Sequence, residues 1–257
     1  LTVIDALYIS STGLRSQQEQ IDVISNNVAN MQTPGFKRGR VNFAEIAAAP
    51  MPGETMGTMV GTHGGGARVM STSQEFVAGA LQPTRGPLDI AIDGNGFFEL
   101  EDLNGNRFYT RSGRFHMDDQ GYLAATNGMR LTGSPQVPQG ASEVLISANG
   151  ELSALLDGGE ERSVLGSIEL VLFATTDGLE SIGDNLFRAG TRNGGPLASV
   201  AGEGGAGRLQ QGYLEAANVD MIDEMTGLVL AQRAYQLNAR VLQASDQVLE
   251  TINNLRR

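Results

Sequence analysis

Residues 218–257 read NVDMIDEMTGLVLAQRAYQLNARVLQASDQVLETINNLRR, a stretch with no proline and a single glycine, Gly227. Leu228, Tyr235, Leu242 and Leu249 recur every seven residues, and Leu230/Leu237 and Val241/Val248/Leu255 repeat that step on an adjoining face. A seven-residue apolar step keeps one seam turned toward a partner helix and favours a left-handed supercoil. Two stripes make the apolar face wider than one seam requires, so this helix expects more than one neighbour. A lone helix of this kind does not offset the entropy of ordering its backbone, and it is predicted to order when partners cover it.

The other end of the chain carries the same signal. From Ile4 to about Met31, Leu7, Leu14, Ile21 and Val28 recur every seven residues, with Ile24 and Met31 on the same face. Gly13 is the weak point of that helix, and Thr33-Pro34-Gly35 ends it, because proline disfavours helix in the residue before it and glycine permits the turn. Heptad-like helices at both ends, with nothing similar between them, predict that the two ends pair and that the middle is a separate inserted body.

Between the helices the pattern changes twice. FKRGRVNFAEI reads as a short amphipathic continuation, and the Gly-, Met- and Thr-rich stretch after it reads as an extended connector. Gly64-Gly65-Gly66 is not followed by the Lys and Ser/Thr of a phosphate-binding loop. From Leu81 to about Tyr213 short apolar runs alternate with Asn95-Gly96, Asn104-Gly105, Gln120-Gly121, Asn127-Gly128 and Asn149-Gly150. Such pairs supply the positive φ of tight hairpins, so the segment predicts an antiparallel β domain, a sandwich or partly closed barrel. The fold class is therefore α+β. Residues 1–35 and 216–257 form a helical assembly domain, residues 36–80 a connector, and residues 81–215 an inserted antiparallel β domain.

Composition narrows the chemistry. A net charge of −11 with scattered Lys and Arg argues against nucleic acid as partner. There is no cysteine, and no run of eighteen apolar residues that would span a membrane. The N-terminal residues lack the basic leader and apolar core of a cleavable signal peptide. His63 and His116 are the only histidines and lie far apart, so no transition-metal site or cofactor is expected. Asp118-Asp119 before Gly121 lacks the later ligands of a calcium loop and reads as a hairpin turn. No catalytic constellation stands out, and no enzyme is expected.

Two motifs carry a resemblance. ISNNVANMQTPGFKR (residues 24–38) resembles the N-terminal signature of bacterial flagellar rod and hook proteins, and QGYLEAANVDMIDEMTGLVLAQRAYQLNARVLQASDQVL (residues 211–249) resembles their C-terminal signature. PLDIAIDGNGFFEL, YTRSGRFHMDDQGYL and FATTDGLESIGDNLF are also similar to the family, so the resemblance covers nearly the whole chain. Within it, GLESIGDNLF and QRAYQLNARV look most like the distal rod member, with the proximal rod or hook paralogue as the alternative.

The resemblance implies a structural subunit that polymerises into a helical tube, transmits torque from motor to hook and encloses an export channel. It implies partners among copies of the chain itself, other rod proteins, the hook protein, the surrounding ring proteins and the flagellar type III export apparatus. It also implies a place in the basal-body rod in the periplasm, reached without a cleavable signal. The expected subunit contacts are Leu7, Leu14, Ile21, Val28, Leu228, Tyr235, Val241, Leu242, Val248 and Leu249. Asn26, Asn27 and Asn30 either hydrogen-bond between subunits and fix axial register, or form a polar helix face and cap before Pro34. A periplasmic glycan-binding or glycan-active β protein is the reading from another class.

Overall fold

In a computed structural model of the chain, residues 3–47, 64–156 and 162–255 are described. They divide into two compact units, one built from residues 1–29, 39–75 and 219–257, the other from residues 30–38 and 76–218.

The first unit holds both helices. Helix α1 spans Val3–Ala29 and helix α2 spans Met221–Leu255. Asp220 caps α2, its Oδ1 accepting from the N–H groups of Ile222 and Asp223, and Asp223 and Glu224 place acid in the first turn, where the helix dipole favours it. The helices touch and run antiparallel: Asn27 meets Glu224, Ile24 lies against Gly227, and Gly13 lies against Asn238.

The predicted connector is a β ladder at both of its described ends. Strand β1 (Gly39–Ala47) pairs antiparallel with β2 (Gly64–Gln74), and both pack on α1. Register shifts at Asn42/Phe43 and Glu45/Ala47 break the period-two alternation, which is why neither strand is visible in the sequence. From Gly39 on, FKRGRVNFAEI is therefore strand and not an amphipathic continuation of the helix, and the glycines from Gly64 open β2. Residues 48–63, which include His63 and the middle of the expected connector, lie outside the described residues.

The second unit is the β body, and every strand pairing among its described residues is antiparallel. Among the described residues its largest sheet has seven strands, ordered Glu180–Gly183, Leu186–Arg188, Arg107–Thr110, Phe98–Glu101, Arg130–Leu131, Leu123–Ala125 and Phe115–Met117. Its edge strands do not pair with each other, so this sheet is open and not a closed barrel. A three-stranded meander over Ala141–Ile146, Glu151–Leu156 and Arg162–Ser167 contributes Ile146 and Leu152 to the same core as Phe98, Leu100 and Leu123. A second, aromatic cluster gathers Phe76, Phe97, Phe173 and Phe187 edge to face, where ring quadrupoles attract.

All five predicted turn glycines, Gly96, Gly105, Gly121, Gly128 and Gly150, have positive φ. Asp118 Oδ1 accepts from the N–H groups of Gln120 and Tyr122, and its Oδ2 accepts from Arg130 Nε at 2.7 Å. The backbone N–H of Tyr122 is the largest influence holding this carboxyl below the usual carboxylate range. Asp118 thus closes a hairpin.

One boundary moves. Residues 30–38 belong with the β unit, not with the N-terminal helix or a connector, and residues 216–218 do likewise. Asn30 ends the helix segment, where its Oδ1 accepts from Thr33 Oγ1 and its carbonyl from Thr33 N.

Candidate subunit interface

The helix pair is narrow and polar at its centre. Among its described residues the buried apolar side chains are Ile24 and Ala231, while Ser10, Ser16, Asn27 and Glu224 are buried polar ones. Small side chains let the elements come close. At Gly13 an added Cβ would stand 2.8 Å from Asn238 Nδ2, so the glycine that weakens the isolated helix is what admits its neighbour. On the ladder side, Ser16 Oγ donates to Ala67 O at 3.1 Å.

Asn27 ties the unit together. Its Oδ1 accepts from Gly39 N at 2.8 Å, and its Nδ2 donates to Gly39 O at 3.0 Å and to Glu224 Oε2 at 3.1 Å. The amide is thus engaged within the chain, joining α1, β1 and the first turn of α2. Of the two readings of Asn27, the contacts present here are the ones within the chain. Asn26 lies on the exposed side of α1, and Asn30 is half-buried at the turn.

The predicted heptad residues divide into two sets. Leu7, Leu14, Ile21 and Val28 on α1, and Leu228, Leu242 and Leu249 on α2, are half-buried. Tyr235, Val241 and Val248 are exposed. They stand beside residues the heptad argument placed on a stripe without ranking them as contacts, Leu230 and Leu237, and beside Ile252, which it missed. Leu230, Leu237, Val241, Val248 and Ile252 are spaced 7, 4, 7 and 4 apart, which puts them on one side of α2. Leu237 is 61% exposed. Ile252 was missed because it follows Val248 by four residues, a step that a search for seven-residue repeats passes over.

A size estimate decides what such a stripe can do. Five large apolar side chains, each about half exposed, would contribute roughly 4–8 kcal/mol on full burial. Docking two bodies costs about 4–15 kcal/mol in lost freedom alone. One contact of this kind is therefore weak.

The rest of the surface shows no competing chemistry among the described residues. No three His, Asp or Glu side chains gather there, and no described helix is long and apolar enough to cross a membrane. His116 is exposed on its strand.

Comparison with known proteins places these elements. Residues 7–37 match the family described as flagella basal body rod protein, and residues 91–154 match the flagellar hook protein FlgE/F/G D1 domain. Residues 210–255 match the flagellar basal body rod FlgEFG protein C-terminal family. The flagellar basal-body rod protein FlgG of Caulobacter vibrioides is 38% identical over 259 residues, covering 98% of this chain and 99% of that protein. FlgG of Bacillus subtilis is 35% identical over 263 residues, covering 98% and 99%. The flagellar hook protein FlgE of Salmonella typhimurium is 25% identical over 407 residues, covering 95% and 98%.

Proposed function

The chain belongs to the FlgG family of flagellar basal-body rod proteins and is a structural subunit of the distal rod, and we propose that it works by polymerising through the exposed side of α2. Copies of the chain cover the stripe formed by Leu230, Leu237, Val241, Val248 and Ile252. The α1–α2 pair forms the wall of a helical tube, with neighbouring helices completing a coiled-coil-like layer around the seam held by Asn27. Half-buried Leu7, Leu14, Ile21, Val28, Leu228, Leu242 and Leu249 become fully buried in that layer. The tube encloses the export channel and carries torque, since a load shared over many weak contacts is borne without any one contact having to be strong. Other rod proteins and the hook protein adjoin it end to end, and it stands in the periplasm within the surrounding rings.

The observation that carries this reading is the stripe itself, a row of apolar side chains left exposed on α2 beside the side that already meets α1. A carboxylate placed in the stripe must be buried unpaired or must prevent docking. The chain carrying both Leu237→Asp and Val241→Asp is expected to remain monomeric in electron micrographs under conditions where the unaltered chain forms tubes. Gln243→Asp, on an exposed part of α2 outside the stripe, is expected to form tubes normally. Tubes from the doubly substituted chain would falsify the assignment of this side to assembly.

A further inference from the structure

The β unit draws on two separate pieces of the chain, and the smaller one is held tightly. Gly35 N donates to Glu215 O at 2.7 Å, Asn185 Nδ2 donates to Pro34 O at 3.0 Å, and Arg38 N donates to Asn218 Oδ1 at 2.7 Å. Gly35 has a φ of +73°, and a Cβ there would stand 2.5 Å from Ser112 N, so no side chain fits.

Lys37 follows with its side chain 1% exposed, and its Nζ donates to Glu215 Oε1 at 2.6 Å and to Val77 O at 2.8 Å. Gly79 N donates to the same carboxylate oxygen at 2.8 Å. Arg111 Nε meets the other oxygen at 2.9 Å, and its terminal nitrogens donate to the carbonyls of Gly96 and Gly94. Two cations thus share one buried carboxylate, and the carbonyls of Val77, Gly94 and Gly96 accept further bonds from them. Burial pulls the Lys37 ammonium below its ordinary range, while Glu215 pulls it up and Arg111 pulls it down again.

We infer that residues 33–38 are a strap that closes the β unit, with Glu215 as the one group that joins the strap, the start of the long segment and the main sheet. Lys37 brings the strap to Glu215, Gly79 brings the residues just after β2, and Arg111 brings the end of the Arg107–Thr110 strand. Glu215 lies 178 residues beyond Lys37 in the chain. A chain that emerges amino end first therefore cannot close this unit until residue 215 has emerged. The charge count also gives an asymmetry: without Glu215 two buried cations face each other, whereas without Lys37 the remaining Glu215–Arg111 pair is balanced.

Amide hydrogen exchange on the full unaltered chain tests the strap. The N–H groups of Gly35 and Arg38 are expected to exchange within about tenfold of those of Ile90 and Phe97, which donate inside the β unit. Exchange of Gly35 and Arg38 at the rate of mid-helix α1 amides, with Ile90 and Phe97 slow, would overturn the strap. Melting of full-length variants tests the charge count. Glu215→Gln is expected to lower the melting temperature of the β unit by roughly 10 °C, and Lys37→Met by less than half of that. A Glu215→Gln chain that does not fold, beside a folded Lys37→Met chain, supports the same asymmetry. Equal losses, or a larger loss for Lys37→Met, contradict it.

Discussion

At the scale of single residues, the buried polar groups do more to define this protein than its leucines do. Asn27 stands out in the sequence as a polar position on an apolar helix, yet its partners do not. Gly39 lies 12 residues on, across a turn, and Glu224 lies 197 residues away. No local rule connects such positions, so the residue was legible and its role was not. The same is true of Lys37, Arg111 and Glu215, which read as ordinary surface charges in a chain with 47 charged Asp, Glu, Lys and Arg side chains (18 + 29). Tyr109 gives a residue-scale prediction. Burial, then the nearby Glu99 carboxylate, which accepts from its hydroxyl at 3.2 Å, push its phenol up to about 12. A folded-state pKa raised above the ordinary value of 10.0 stabilises the fold below pH 10. That contribution is lost as the pH rises from about 10 to about 12. Alkaline titration followed by tyrosinate absorbance should show one late-ionising tyrosine that disappears in Tyr109→Phe. Ionisation of every tyrosine near pH 10 would contradict the buried pairing.

At the scale of elements, the two helices and the hairpins were legible because their signals are local and periodic. Heptads gave α1 and α2, and Asn-Gly or Gln-Gly pairs gave the turns. The β1–β2 ladder was hidden because bulges interrupt its alternation. The helix seam was half legible: its direction and length followed from the pattern, but its polar centre did not, since heptad arguments count only apolar positions. Gly13 shows what that seam requires. A leucine there must displace Asn238 and part the helices, and overpacking of this kind costs about 1–3 kcal/mol. Gly13→Ala needs only a swing of the Asn238 amide, and its better helix propensity offsets the strain by roughly 0.5–1 kcal/mol. Far-UV circular dichroism should therefore show an early loss of helix on heating Gly13→Leu and little change in Gly13→Ala. Equal melting of the two variants would mean that the helices do not approach as closely here.

At the scale of the whole molecule, the two units are unequally provided. The β unit holds both large apolar clusters, whereas the helical unit buries mainly small and polar side chains among those described. An isolated chain should accordingly lose its helical signal at a lower temperature than the near-ultraviolet signal of the tyrosines in the β unit. A single shared transition would show that the helices are already stabilised without neighbours. Assembly supplies what the helical unit lacks, and that is the central claim. The absence of cysteine offers a direct probe of it, since a Val241→Cys chain carries one thiol at the middle of the exposed stripe. Its rate of modification by a maleimide should be fast in the monomer and should fall by at least about tenfold in assembled tubes, as burial removes access. Tubes in which this thiol reacts as fast as in the monomer would contradict the claim that other copies cover this side of α2.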